Sequence, residues 1–251
     1  MAGRLRWLAI ITLFVLIFAA PVFADEQEEP SDPPPAAPAI SEEIARMLER
    51  GRTLMGQNNP IYAPVPIKLP LEDRNRAGRE ALRTFEEVTE REPKLAQGWL
   101  WLGIAYTQQL EYAKNVPQGK PYRPDAYVSK GLEAFNTAYR CDPTNEDSVK
   151  YYGDALMEFR KDFDAALTLW LDYLTVAKTD LQQMVANVQA ARACLNKANF
   201  GKETKLSPEQ IQKYYQDAVI YIDHAAALCP NARDVKEMQA LLGKYKYLAG
   251  K

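Results

Sequence analysis

From Ile40 onward, apolar residues fall at helical spacing between proline-rich interruptions, and no run alternates apolar and polar positions as a half-buried strand would. The pattern predicts helices over 41–55, 74–91, 96–114, 125–141, 146–160, 163–177, 180–198 and 208–228, with a last one over 232–248. Ser207, Pro208 and Gln210 mark one start sharply: the serine accepts a backbone hydrogen bond, and proline at the first helical position needs no donor. Taken in order, the segments make four pairs and a closing helix.

A repeated spacing ties the pairs together. Ala81, Phe85, Val88 and Pro93 are echoed by Gly131, Phe135, Ala138 and Pro143, and again by Ala218, Ile222, Ala225 and Pro230. Ten residues after each proline comes a small residue, Gly103, Gly153 or Ala240. Glycine inside a helix costs about 1 kcal/mol relative to alanine, so Gly103, Gly131 and Gly153 imply close packing that compensates. One helix pair cannot bury its apolar face alone, and stability must come from stacking on neighbours.

Trp99, Leu102, Gly103 and Tyr106, followed by Gly131, Phe135 and Pro143, match the tetratricopeptide pattern. The chain therefore resembles the tetratricopeptide repeat (TPR) family over Ser41 to about Leu248, most clearly in the middle. The resemblance implies an all-α, right-handed α-solenoid of about four TPR-like helix pairs plus a C-terminal capping helix. It also implies that small residues face one another at each crossing, Gly103 against Gly131 and Gly153 against Ala165 or Ala166. Departures are visible: long inserts interrupt three pairs, and the third pair carries one extra residue before Ala166 and lacks the terminal proline.

In this family the first helix of each pair lines a concave groove where partners lie. By that resemblance the candidate partner-binding residues are Gln97, Leu100, Ile104 and Gln108 on the second pair. On the third they are Asp147, Lys150, Tyr151, Asp154 and Glu158. Family members that grip an acidic C-terminal peptide use a set of lysines, asparagines and arginine, and no comparable set stands here. The inserts at 58–73, 115–124 and 200–206 should crowd one edge, where Tyr62 and Tyr122 offer aromatic contact area. They either bind or cover apolar side chains.

Charge narrows the partner. Residues 1–24 carry Arg4 and Arg6 and no acid, leaving 29 basic (31 − 2) against 33 acidic residues in the rest, a net charge of −4. A mildly acidic body does not suit general nucleic-acid binding, which needs a dense Lys/Arg surface. Arg4 and Arg6, the apolar run Leu8 to Ala20, and Val22-Phe23-Ala24 form a secretory signal pattern over 1–24, with Asp25 as the expected mature start. Membrane attachment would arise only from an uncleaved signal. Residues 25–39, with five prolines among five acids, are the expected disordered linker before the repeat domain at 40–251.

Catalytic groups are scarce. His224 is the single histidine, and no phosphate loop, nucleophile elbow or paired-cysteine motif occurs. Cys141, Cys194 and Cys229 are expected as free, buried thiols, because their helix positions place Cys194 and Cys229 apart. The sequence thus points to an exported, periplasmic or extracellular protein without enzymatic activity or cofactor. Its expected role is an adaptor or scaffold binding a protein or peptide of the cell envelope through the concave face and the Pro/Tyr-rich loops. The alternative is a subunit binding an envelope polysaccharide or other ligand, and more remotely a carboxylate-based enzyme.

Overall fold

A computed structural model describes residues 40–58, 69–113, 124–201, 203 and 205–249. The signal and linker expected over 1–39, together with Tyr62 and Tyr122, lie outside the described residues. Among the described residues the helices are α1 (Glu42–Asn58), α2 (Leu71–Arg91), α3 (Ala96–Ala113), α4 (Pro124–Cys141), α5 (Glu146–Ala155), α6 (Phe163–Leu174), α7 (Asp180–Asn199), α8 (Pro208–Leu228) and α9 (Arg233–Lys244). There are no strands among them, and the architecture is an all-α solenoid of helix pairs.

Antiparallel pairing is written in side-chain contacts. Across α1 and α2, Arg91 reaches Glu43 at one end, Arg50 reaches Glu80 in the middle, and Arg74 Nε donates to the Asn58 carbonyl at the other end, 2.9 Å away. The pairs stack in chain order, α2 on α3, α4 on α5 and α6 on α7. Aromatic rings make two of these joints: Phe85 stacks on Trp101 with centroids 6.0 Å apart, and Phe135 on Tyr151 at 5.9 Å. Trp101 and Tyr151 hold equivalent places, two residues before Gly103 and Gly153.

Gly51, Gly103 and Gly153 face aromatic rings rather than other small residues. A Cβ on Gly103 would stand 2.5 Å from Phe135, one on Gly51 2.5 Å from Phe85, and one on Gly153 2.6 Å from Nε1 of Trp170. The expectation that Gly153 sits against Ala165 or Ala166 is therefore corrected: the large residue one turn further along α6 occupies the gap. Gly131 does approach Gly103, whose carbonyl oxygen lies 3.5 Å from its would-be Cβ, but Thr107 is nearer at 2.9 Å.

Side-chain caps mark the starts of four consecutive helices, α5 to α8. Asn145 and Asp162 accept from the backbone of Ser148 and Ala165, while Thr179 with Gln182 and Ser207 with Gln210 form reciprocal capping boxes. The helix expected over 146–160 changes character at Leu156–Arg160, a π-helical turn ended by Lys161 at φ 55°. A π turn absorbs one additional residue, which is the surplus the third repeat carries before Ala166. The last helix stops at Lys244 and continues as a 3₁₀ turn, Lys246–Ala249.

Helix α7 is shared between two parts of the core. Ala186, Ala190 and Ala193 join the apolar cluster that runs from α1 to α6, whereas Met184, Val188, Ala191, Cys194 and Leu195 join a second one with α8 and α9. A helix buried on two sides carries apolar residues around most of its circumference.

Candidate binding groove

The first helices of successive pairs share one face, and α9 belongs with them because Ala240 occupies the position of Gly103 and Gly153 relative to the preceding proline. On this face α5, α7 and α9 enclose an open groove of ≈ 700 Å³. Val188, Met238 and Leu241 supply its apolar floor. Lys150 and Asp154 stand on the α5 wall, Gln189 and Arg192 rise from α7, and Asp234, Glu237 and Lys244 line the α9 wall. That volume falls within the range of about 300–1,000 Å³ usual for ligand sites.

Arg192 donates from Nη1 to Oδ1 of Asp154 at 3.3 Å, with both side chains partly exposed. Burial raises the Asp154 carboxyl above the ordinary carboxylate range. Arg192 and Lys150 oppose that rise and Glu158 adds to it. The pair is thus a weak one, set at the lip of an apolar floor where water is partly excluded.

The candidates from the sequence divide clearly. Lys150 and Asp154 line the groove; Asp147 and Glu158 are exposed beside it on the same helix segment. Tyr151 is half-buried by its stack on Phe135 and serves the joint between pairs. On α3, Gln97 is half-buried, but Leu100, Ile104 and Gln108 are 6%, 2% and 7% exposed. Leu100 and Ile104 belong to the core, so the expectation of an open groove surface there is corrected: neighbouring pairs close over that side of α3. Both amide atoms of Gln108 lack a hydrogen-bond partner among the described residues in this buried position.

Two groups of groove residues escape the sequence pattern. Arg192 and Gln189 lie on α7, whose small-residue run hides the helix face, and the α9 residues sit on a helix whose pattern suggests only a cap. The ten-residue offset from Pro230 to Ala240 carries the signal that α9 presents the same face as α3 and α5.

Outside the groove, a smaller cleft of ≈ 350 Å³ lies between α1 and α2 and is lined by Leu54, Gln57, Asp73 and Arg76 among others. His224 is exposed on α8. The three cysteines are free; Cys194 is buried and Cys229 half-buried, but Cys141 is exposed, which corrects the expectation of burial for that thiol. Cys141 ends α4, where its sulfur faces the Pro93 carbonyl at 3.7 Å and its remaining side meets solvent. Among the described residues no group of three or more His, Cys, Asp or Glu side chains converges to hold a metal, and no helix is long and apolar enough to cross a membrane.

No family model matches the chain, and no curated protein matches it significantly. Among solved structures it is similar to TTC0263, a thermophilic TPR protein of Thermus thermophilus, with TM-score 0.46 and 16% identity over 79% of this chain and 98% of that one. It is also similar to the MamA RS-1 ArsTM double mutant, with TM-score 0.43 and 14% identity over 84% of this chain and 96% of that one.

Proposed function

We propose that this protein is a non-catalytic scaffold of the cell envelope that holds an extended segment of a partner protein in the α5/α7/α9 groove. The observation that carries the reading is the groove itself: an apolar floor bounded by charged groups on three separate helices and open to solvent. Such a surface offers an apolar seat and a polar rim to an extended chain. Export to the periplasm or extracellular space rests on the leader pattern at 1–24.

A peptide-display selection against residues 25–251 tests it. Peptides recovered on the unaltered protein should be lost on a Leu241→Lys variant of unchanged melting temperature, because a charge would sit on the floor. Equal recovery on both would place binding elsewhere.

A further inference from the structure

Helix α5 is joined to α4 by rings, whereas the pair it forms with α6 leaves polar groups unpaired. Phe135 stacks on Tyr151, and Tyr139 meets Tyr152 with ring centroids 6.4 Å apart, so two aromatic contacts link α4 to α5. Within the third pair, three buried polar atoms lack a hydrogen-bond partner among the described residues: Oγ of Ser148, Nε1 of Trp170 and the Tyr173 hydroxyl. Their residues are 0%, 0% and 1% exposed. Each group forfeits the hydrogen bond that water would give it, so the closed pair carries a standing penalty that local opening relieves.

The chain is irregular at the same place. The π turn Leu156–Arg160 separates α5 from α6, and Lys161 follows it at φ 55°, a left-handed conformation that residues with a Cβ adopt reluctantly. Across the groove, Arg192 holds Asp154 of α5 at 3.3 Å, and Asn196 of the same helix α7 donates to Sδ of Met157 in the π turn at 3.8 Å. Both are long contacts.

We propose that the third pair is the hinge of the solenoid. Helix α5 moves with α1 to α4, α6 moves with α7 to α9, and the π turn with Lys161 absorbs the change in backbone angle. The bend thus falls inside a pair, because the rings stiffen the joint between the second pair and the third. Since α5 carries one wall of the groove while α7 and α9 carry the rest, bending here widens and narrows the groove. The Arg192–Asp154 contact breaks as the wall swings out, and Ser148, Trp170 and Tyr173 then reach water. The hinge does not depend on what the groove holds.

Hydrogen exchange on residues 25–251 tests this without any substitution. Amides in the middle of α5 and α6 should exchange at least about tenfold faster than those in the middle of α4 and α7. The double variant Ser148→Ala, Tyr173→Phe removes two of the unpaired atoms, and it should slow that exchange and raise the urea midpoint. Spin labels on Lys150→Cys and Gln239→Cys, exposed positions of α5 and α9, read the groove width once the three native cysteines are replaced. Their distance distribution should be broader than that of a control pair, Arg79→Cys and Glu133→Cys on α2 and α4, and should narrow in the double variant. Even exchange from α4 to α7, a groove distribution no broader than the control, or a lowered urea midpoint in the double variant would each overturn the hinge.

Discussion

Gly103 leaves the space that Phe135 fills: a Cβ at residue 103 would lie 2.5 Å from Cδ1 of that ring. The same ring stacks on Tyr151 of the following pair, and Phe85 repeats the arrangement between Gly51 and Trp101. Each ring therefore fastens its own pair and the next one at a single point, so a defect at the glycine is felt across two pairs.

Gly103→Ala should accordingly destabilise the protein. The substitution gains about 1 kcal/mol of helix propensity, but the ring has no room to give and overpacking costs about 1–3 kcal/mol. In a Phe135→Leu background the ring is gone, and the same change should become neutral or stabilising. Urea melts of the four proteins in this cycle measure the coupling directly. Additive effects would mean that Gly103 and Phe135 do not share the crossing.

Gly243 provides the opposite case. It lies near the exposed end of α9 and nothing stands within 4 Å of its would-be Cβ. Gly243→Ala should raise stability by about 0.5–1 kcal/mol. A loss of stability there would show that α9 packs differently.

Tyr151 separates a binding role from a structural one. Replacing it with leucine should cost about 0.5–1.5 kcal/mol through loss of the stack on Phe135. Peptide affinity should stay within about twofold once the protein is folded, because the ring lies outside the groove lining. A large loss of affinity with unchanged melting would return Tyr151 to the partner surface.

The repeat spacing makes the helix pairs legible because glycine, ring and proline each mark a geometrical need: close approach, a filled gap and a chain stop. Ser207 to Gln210 similarly announces a helix start that the structure bears out. What spacing cannot convey is which side of α3 its neighbours cover. Leu100 and Ile104 look like groove residues on one isolated pair and become core residues once α1 and α5 close around α3. Arg192 is hidden for a related reason. With apolar or small residues on most sides of α7, no single face of that helix stands out as polar.

Thiol reactivity follows burial. Cys141 should label readily in the native protein, Cys229 more slowly, and Cys194 only on unfolding, since burial pushes its thiol up to about 12. Because this folded value lies above the ordinary one of 9.0, Cys194 favours the folded state below pH 9.0, and that contribution is lost as pH rises toward about 12. Labelling counted by mass spectrometry before and after denaturation, without reductant, checks all three. A single reactive thiol after unfolding would indicate a disulfide and a different packing of α7 and α8.

Site-specific photo-crosslinking tests the claim that the α5/α7/α9 groove holds a partner segment. A photo-reactive amino acid is placed at Gln189, beside Arg192 in the groove, and in a second protein at Gln216, exposed on α8. Each is irradiated with a peptide recovered by display selection. The account predicts a crosslink from residue 189, abolished by Leu241→Lys, and none from residue 216. A crosslink from residue 216 alone, or from neither position while the peptide still binds, would contradict it.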